Sequence, residues 1–190
     1  MPRTERQFKD IRELKRSQIM DSALHLFAQK GFDSTSINMI AKRAGISKGL
    51  IYNYFESKED LITILIHNGF DKFFTEFDPN NDGVLTDLEF EHFIDKTFEV
   101  LKSNLHFWKL YFMVMAQPQV LKLVEKKLME LIIPLLTILS EYYTSKGIEN
   151  PMAYARFFGA MIDGVCLNYI VDPENFPVEE IKQIIKNKFI

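Results

Sequence analysis

The sequence predicts an all-α protein of about nine helices. Three observations carry that prediction. Apolar residues recur at three- and four-residue spacing along almost the whole chain. Period-two alternation and Val/Thr-rich runs, the marks of strands, are missing. The breaks between periodic segments are short and polar, built from Gly, Pro, Asn and Asp. Composition agrees. A chain of 190 residues, 47% hydrophobic and 26% charged with only 8 Gly and 7 Pro, is neither disordered nor low-complexity.

Ile19, Ala23, Leu26 and Phe27 make the apolar stripe of the first helix, which Gly31 ends as a C-cap. A second, short helix starts from a cap at Ser34, Thr35 or Ser36 and carries Ile37, Ile40 and Ala41. Ala44-Gly45-Ile46 interrupts the pattern, and Ser47 can cap a third short helix reaching Tyr54. Ser57 caps a fourth, running through Leu61 and Leu65 towards Phe77. A polar stretch, DPNNDGVLTDLE, follows. Thr86 then opens a helix to Asn104, and Phe107–Ala116 forms another. Pro118 suits the first turn of a long helix to Ser145, and Pro134 should kink it. KGIENP and DPENFP separate two last helices, Pro151–Val171 and Val178–Phe189.

Charge divides the chain. Residues 1–55 carry 10 Lys/Arg against 5 Asp/Glu, whereas the remainder carries 13 against 21. A basic head on an acidic body suggests that the head meets a polyanion. The local pattern sharpens this. Two short helices joined by a tight turn containing Gly45 are a helix-turn-helix. Ala41 and Ala44 let the helices approach, and Ile40, Ile46 and Ile51 can form the seam. The second helix of such a unit fits the DNA major groove. It would present Ser47, Lys48, Gly49 and Tyr52 to bases and phosphates. Tyr54, Lys58 and the hydroxyls around Thr35 and Ser36 are placed to meet phosphates.

Residues 16–62 resemble the DNA-binding head of the tetracycline-repressor (TetR) family of bacterial transcription regulators. QIMDSALHLFAQKGFDSTSI and MIAKRAGISKGLIYNYFESKEDLI carry the resemblance. It implies that Thr35, Ser47, Lys48, Gly49, Tyr52, Tyr54 and Lys58 lie at double-stranded operator DNA. It also implies a three-helix head over residues 1–56 and a helical effector-binding and dimerisation body over 57–190. The family pattern is a homodimer that pairs through its last two helices. An effector pocket would lie among helices spanning about residues 85–170. There Phe93, Trp108, Phe112, Met115 and Tyr142 could surround an apolar or aromatic molecule. The expectation is a cytoplasmic, ligand-responsive regulator, a repressor released by a small molecule, with no cofactor required.

Residues 78–89 pose a separate question. Asp78, Asn80, Asp82, Gly83 and Glu89 satisfy the spacing of an EF-hand loop, and the Val84 carbonyl would complete a Ca²⁺ ligand set. The same residues also make an ordinary interhelical turn, with Thr86 and Glu89 as a capping box. The alternative function is therefore a Ca²⁺-binding helical regulator. Four histidines and the single Cys166 offer no zinc-type spacing. No Ser/His/Asp set, Gly-rich phosphate loop or HExxH suggests an enzyme. Apolar runs are too short to span a bilayer, so no membrane partner is expected.

Overall fold

The computed structural model describes residues 5–190 and places nine α-helices among them, with no strand. They are α1 (Glu5–Lys30), α2 (Ile37–Ala44), α3 (Lys48–Ile51), α4 (Lys58–Phe74), α5 (Asp87–Ser103), α6 (Leu105–Met115), α7 (Pro118–Ser145), α8 (Pro151–Val171) and α9 (Val178–Phe189). The expected order is reproduced throughout. Two ends differ. α3 closes at Ile51, and the chain leaves it in a turn in which the Tyr54 and Phe55 amides donate to the Ile51 carbonyl at 2.9 and 3.0 Å. Tyr, Asn and Tyr are poor helix formers, and the turn delivers Phe55 into the core. α4 stops at Phe74, and Phe77 follows in a tight turn that buries its ring. Pro134 lies within α7 and deprives the Glu130 carbonyl of its helical donor.

The residues divide into two compact units. One holds the chain up to His67 together with Leu110–Val124, and the other holds Asn68–Lys109 and Glu125–Ile190. The first unit recruits its second segment by polar latches. Gln117 accepts from the Phe32 amide at 2.8 Å and donates to the Phe27 carbonyl at 2.9 Å. Tyr111 donates its hydroxyl hydrogen to the Ile66 carbonyl at 2.7 Å. Backbone groups at the C-terminal end of α1 and within α4 are satisfied this way, as burial requires.

The second unit has an aromatic core. Phe90 is fully buried and meets the rings of Tyr142, Tyr143 and Phe158 edge-on, which joins α5, α7 and α8. Within it the Tyr143 hydroxyl is buried without a hydrogen-bond partner. An unmet buried hydroxyl costs about 1–3 kcal/mol. Tyr143→Phe is therefore expected to raise stability by about 1 kcal/mol, read as a higher urea midpoint at unchanged slope.

α9 is fastened to α5 by charge. Lys182 and Lys186 each reach an Asp95 oxygen at 2.8 Å. Desolvation pushes the Asp95 carboxyl up, but the two lysine hydrogen bonds outweigh it and hold the carboxyl below its ordinary value. A depressed acid stabilises the fold above its unfolded pKa, and that contribution disappears as pH falls through the folded pKa. Asp95→Asn is expected to cost about 1 kcal/mol at neutral pH, a value already discounted for solvent screening. The variant should also flatten the acid limb of a stability-versus-pH curve below about pH 4.

Candidate nucleic-acid interface and ligand cavity

The helix-turn-helix is built by caps. The Ser36 hydroxyl accepts from the Met39 amide at 3.3 Å and starts α2. Gly45 ends it in the left-handed region, φ 66°, which a residue with a Cβ disfavours. The amides of Gly45 and Ile46 return to the carbonyls of Lys42 and Ala41, the Schellman arrangement. Ser47 starts α3 only two residues on, its hydroxyl accepting from the Leu50 amide at 3.3 Å. Ile40, Ala41, Ala44 and Ile51 are buried as the apolar seam. Gln18 of α1 donates to the Ala44 carbonyl at 2.9 Å, which fixes the C-terminal end of α2.

This packing turns Ser47, Lys48 and Gly49 outward, all exposed, with Tyr52 half exposed beside them. An open cleft of about 370 Å³ runs along the same face, and Asp33, Thr35, Ser36, Ile37, Asn38, Lys48, Tyr52 and Lys58 line it. Three helix starts, two ammonium groups and a phenol thus converge on one concave surface, with the Asp33 carboxylate among them. A cleft of that chemistry can hold phosphate oxygens and present side chains to base edges.

Three expected contacts are modified. Thr35 is buried, and its hydroxyl donates to the carbonyls of Gly31 at 2.8 Å and Leu26 at 3.2 Å. It secures the α1–α2 link, and the exposed hydroxyls on either side of it are Ser34 and Ser36. Lys58 donates to the Phe32 carbonyl at 2.9 Å and lies 4.2 Å from the centre of the Phe32 ring, so its ammonium already serves the fold. Tyr54 is half-buried, with the Arg12 guanidinium over its ring at 5.1 Å. Arg12 also donates to the Asn53 carbonyl at 3.2 Å. Spacing along the chain does not reveal these engagements.

In the second unit α4, α5, α7 and α8 surround an apolar cavity of about 140 Å³. Phe70, Phe74 and Phe77 come from α4 and the turn after it, and Phe93 from α5. Ile132, Leu135, Leu136 and Leu139 of α7 close one side, and Ala155, Phe158, Gly159, Ile162 and Asp163 of α8 another. Of the five residues expected in a pocket, only Phe93 lines this one. Trp108 is core, its indole N–H donating to the Val100 carbonyl at 2.9 Å. The Tyr142 hydroxyl is turned to Asp87, donating at 3.0 Å. Phe112 and Met115 belong to the first unit. Sequence reading missed the α4 phenylalanines because the helix stripe reads equally as core. Asp163 carried a signal, a lone acid inside a strongly apolar helix. Cys166 is buried nearby on α8, and burial, with the Asp163 charge second, pushes its thiol up to about 12. It stays protonated and unreactive.

Loop 78–89 adopts a self-satisfied turn. Asp78 accepts from the amides of Asp82 and Gly83, and the Asn80 amide group donates to both Asp82 and Glu89 at 3.1 Å. The Val84 amide donates to Asp82 at 2.8 Å, and Val84 itself is exposed. Glu89 accepts from the Thr86 amide at 2.9 Å, completing the capping box. The oxygens expected to hold Ca²⁺ therefore face one another's donors. Among the described residues no group of three or more His, Cys, Asp or Glu is disposed to hold a metal.

Comparison with known proteins places the head. The family model described as bacterial regulatory proteins, tetR family, matches residues 19–63. An uncharacterised HTH-type transcriptional regulator of Bacillus subtilis, YuxN, is 51% identical over 61 residues, 32% of this chain and 21% of YuxN. The matched stretch thus spans about a fifth of that relative's length. Two solved structures share the fold over nearly the whole chain. FadR of Bacillus subtilis in complex with stearoyl-CoA has a TM-score of 0.71 at 20% identity, covering 92% of this chain and 97% of that one. NalD, the secondary repressor of the MexAB-OprM multidrug efflux pump in Pseudomonas aeruginosa, has a TM-score of 0.69 at 18% identity, covering 93% and 94%.

Proposed function

We propose that this chain, a member of the tetR family of bacterial regulatory proteins, is a homodimeric repressor that leaves operator DNA when a small molecule fills its cavity. The observation that carries the reading is the convergence of Ser36, Lys48, Tyr52 and Lys58 on one open cleft beside a correctly capped helix-turn-helix. In it α3 enters the major groove, Lys48 and Gly49 meet base edges, and Ser36, Ser47 and Tyr52 hold the backbone.

A dimer is supported by α8 and α9. Met152, Phe157, Leu167 and Val171 share one side of α8 and are exposed, as is Ile184 of α9. A second copy covering that side would bury it by a two-fold contact and supply two heads for two half-sites. In this scheme residues 1–56 read DNA and residues 57–190 bind effector and pair, with α4 as the covalent link between them. Effector binding shifts the population between two arrangements of that helix. No metal takes part, and a regulator working by chemistry on its ligand is not part of the scheme.

The test is selection of binding sites from a random 30-base-pair duplex pool, followed by gel shift of the enriched duplex. A two-fold-symmetric site bound at nanomolar protein, weakening steeply with salt, is the expected result. A pool that stays unenriched at low salt overturns the reading.

A further inference from the structure

The cavity of the second unit has an electrically distinctive wall. Five phenylalanine rings and the aliphatic groups of α7 make most of it, and Asp163 is its only charged lining residue. No lysine, arginine or histidine of the described residues forms an ion pair or hydrogen bond with that carboxylate, and Asp163 borders the cavity while remaining exposed to solvent. Desolvation by the surrounding apolar groups raises its pKa, and no cation offsets this. A carboxylate in such a place is an unfilled acceptor beside an apolar hollow.

Resting on the effector-site reading above, we infer that the ligand of this cavity is a small arylalkyl amine. Its ring fills the phenylalanine-lined hollow, and its protonated nitrogen pairs with Asp163. Size and charge each exclude alternatives. A cavity near 150 Å³ holds one benzene-sized ring. At about 140 Å³ this one has no room for a long acyl chain. Fatty acids and other anions would bring a second negative charge against Asp163, the one charged group of the lining. An ammonium gains the carboxylate and the faces of nearby rings together.

Three probes of one shape separate the possibilities: phenethylamine, phenethyl alcohol and 3-phenylpropionate. Each is titrated calorimetrically into the full chain at pH 7. The amine should bind about tenfold or more tighter than the alcohol, and the anion should give no heat. Asp163→Asn should remove the amine's advantage while leaving the alcohol's affinity in place. Gly159→Leu is the second variant. A Cβ at Gly159 meets nothing within 4 Å, so the added side chain can occupy the hollow and abolish binding of amine and alcohol alike. Equal affinity for amine and alcohol, preference for the anion, or no binding by any probe overturns the inference. Binding that persists in Gly159→Leu overturns it as well. None of these results touches the regulator reading, which stands or falls on duplex selection without ligand.

Discussion

Lys48→Ala is expected to weaken operator binding by about 10- to 100-fold, with the slope of log affinity against log salt reduced by about one. Lys48 opens α3, is exposed, lines the open cleft and has no partner among the described residues. Its loss therefore removes no internal contact, and the urea midpoint should not move. Gly49 supplies the companion measurement. It is helical, and a Cβ added there meets nothing within 4 Å, so the fold does not require a glycine. Gly49→Ala should gain about 0.5–1 kcal/mol of stability, because alanine loses less freedom on entering a helix. The same variant should lose operator affinity if α3 lies against base edges, where even a methyl group occupies space. Fluorescence anisotropy on the selected duplex at several salt concentrations reads both. Unchanged affinity in both variants would remove α3 from the interface.

How far the sequence discloses this molecule follows from which interactions are local. Helix starts and stops are fixed within four residues, so Ser36, Gly45, Ser47 and Thr86 are legible as caps, and all four act as caps. Outward-facing residues of α3 are legible for the same reason. The Thr35 hydroxyl is not, because its partners are the carbonyls of Leu26 and Gly31 on the preceding helix. Lys58 is drawn to a carbonyl 26 residues away. The cavity is the least legible feature. Its wall is assembled from α4, α5, α7 and α8, and periodicity identifies an apolar face without saying what packs against it. An aromatic residue in core and one in a cavity wall give the same pattern, which is why Trp108 and Tyr142 were expected in the wall and Phe70 and Phe74 were not.

The EF-hand spacing of residues 78–89 illustrates a related ambiguity. Calcium loops and interhelical turns need the same residue types, since both place oxygens around a tight bend. The difference lies in what the oxygens face. Here Gly83 and Asn81 take positive φ of 75° and 57°, and the carboxylates of Asp78, Asp82 and Glu89 bond the amides of the turn itself. The bend is stable on its own terms and delivers Asp87 to Tyr142 and Lys146, a link that locks the start of α5 to α7.

Phe90→Ala is expected to have the largest effect on stability, a loss of about 3–5 kcal/mol. The ring is fully buried, with centroids of Phe158 and Tyr142 at 4.8 and 5.3 Å and that of Tyr143 at 6.3 Å. Truncation removes apolar burial and three edge-to-face contacts and leaves a hole among side chains of three helices, which cannot all close on it. Against a typical total stability of about 5–15 kcal/mol, that is enough to leave a visible unfolded fraction at moderate temperature. Phe90→Leu keeps most of the volume and should cost about 1–2 kcal/mol. Urea titration with an unchanged slope measures both. Tyr143→Phe, in the same cluster, should shift the midpoint the opposite way, so packing and polar satisfaction are read separately at adjoining rings. A cost below about 1 kcal/mol for Phe90→Ala would mean that this cluster is loosely packed and that α5, α7 and α8 are held by other contacts.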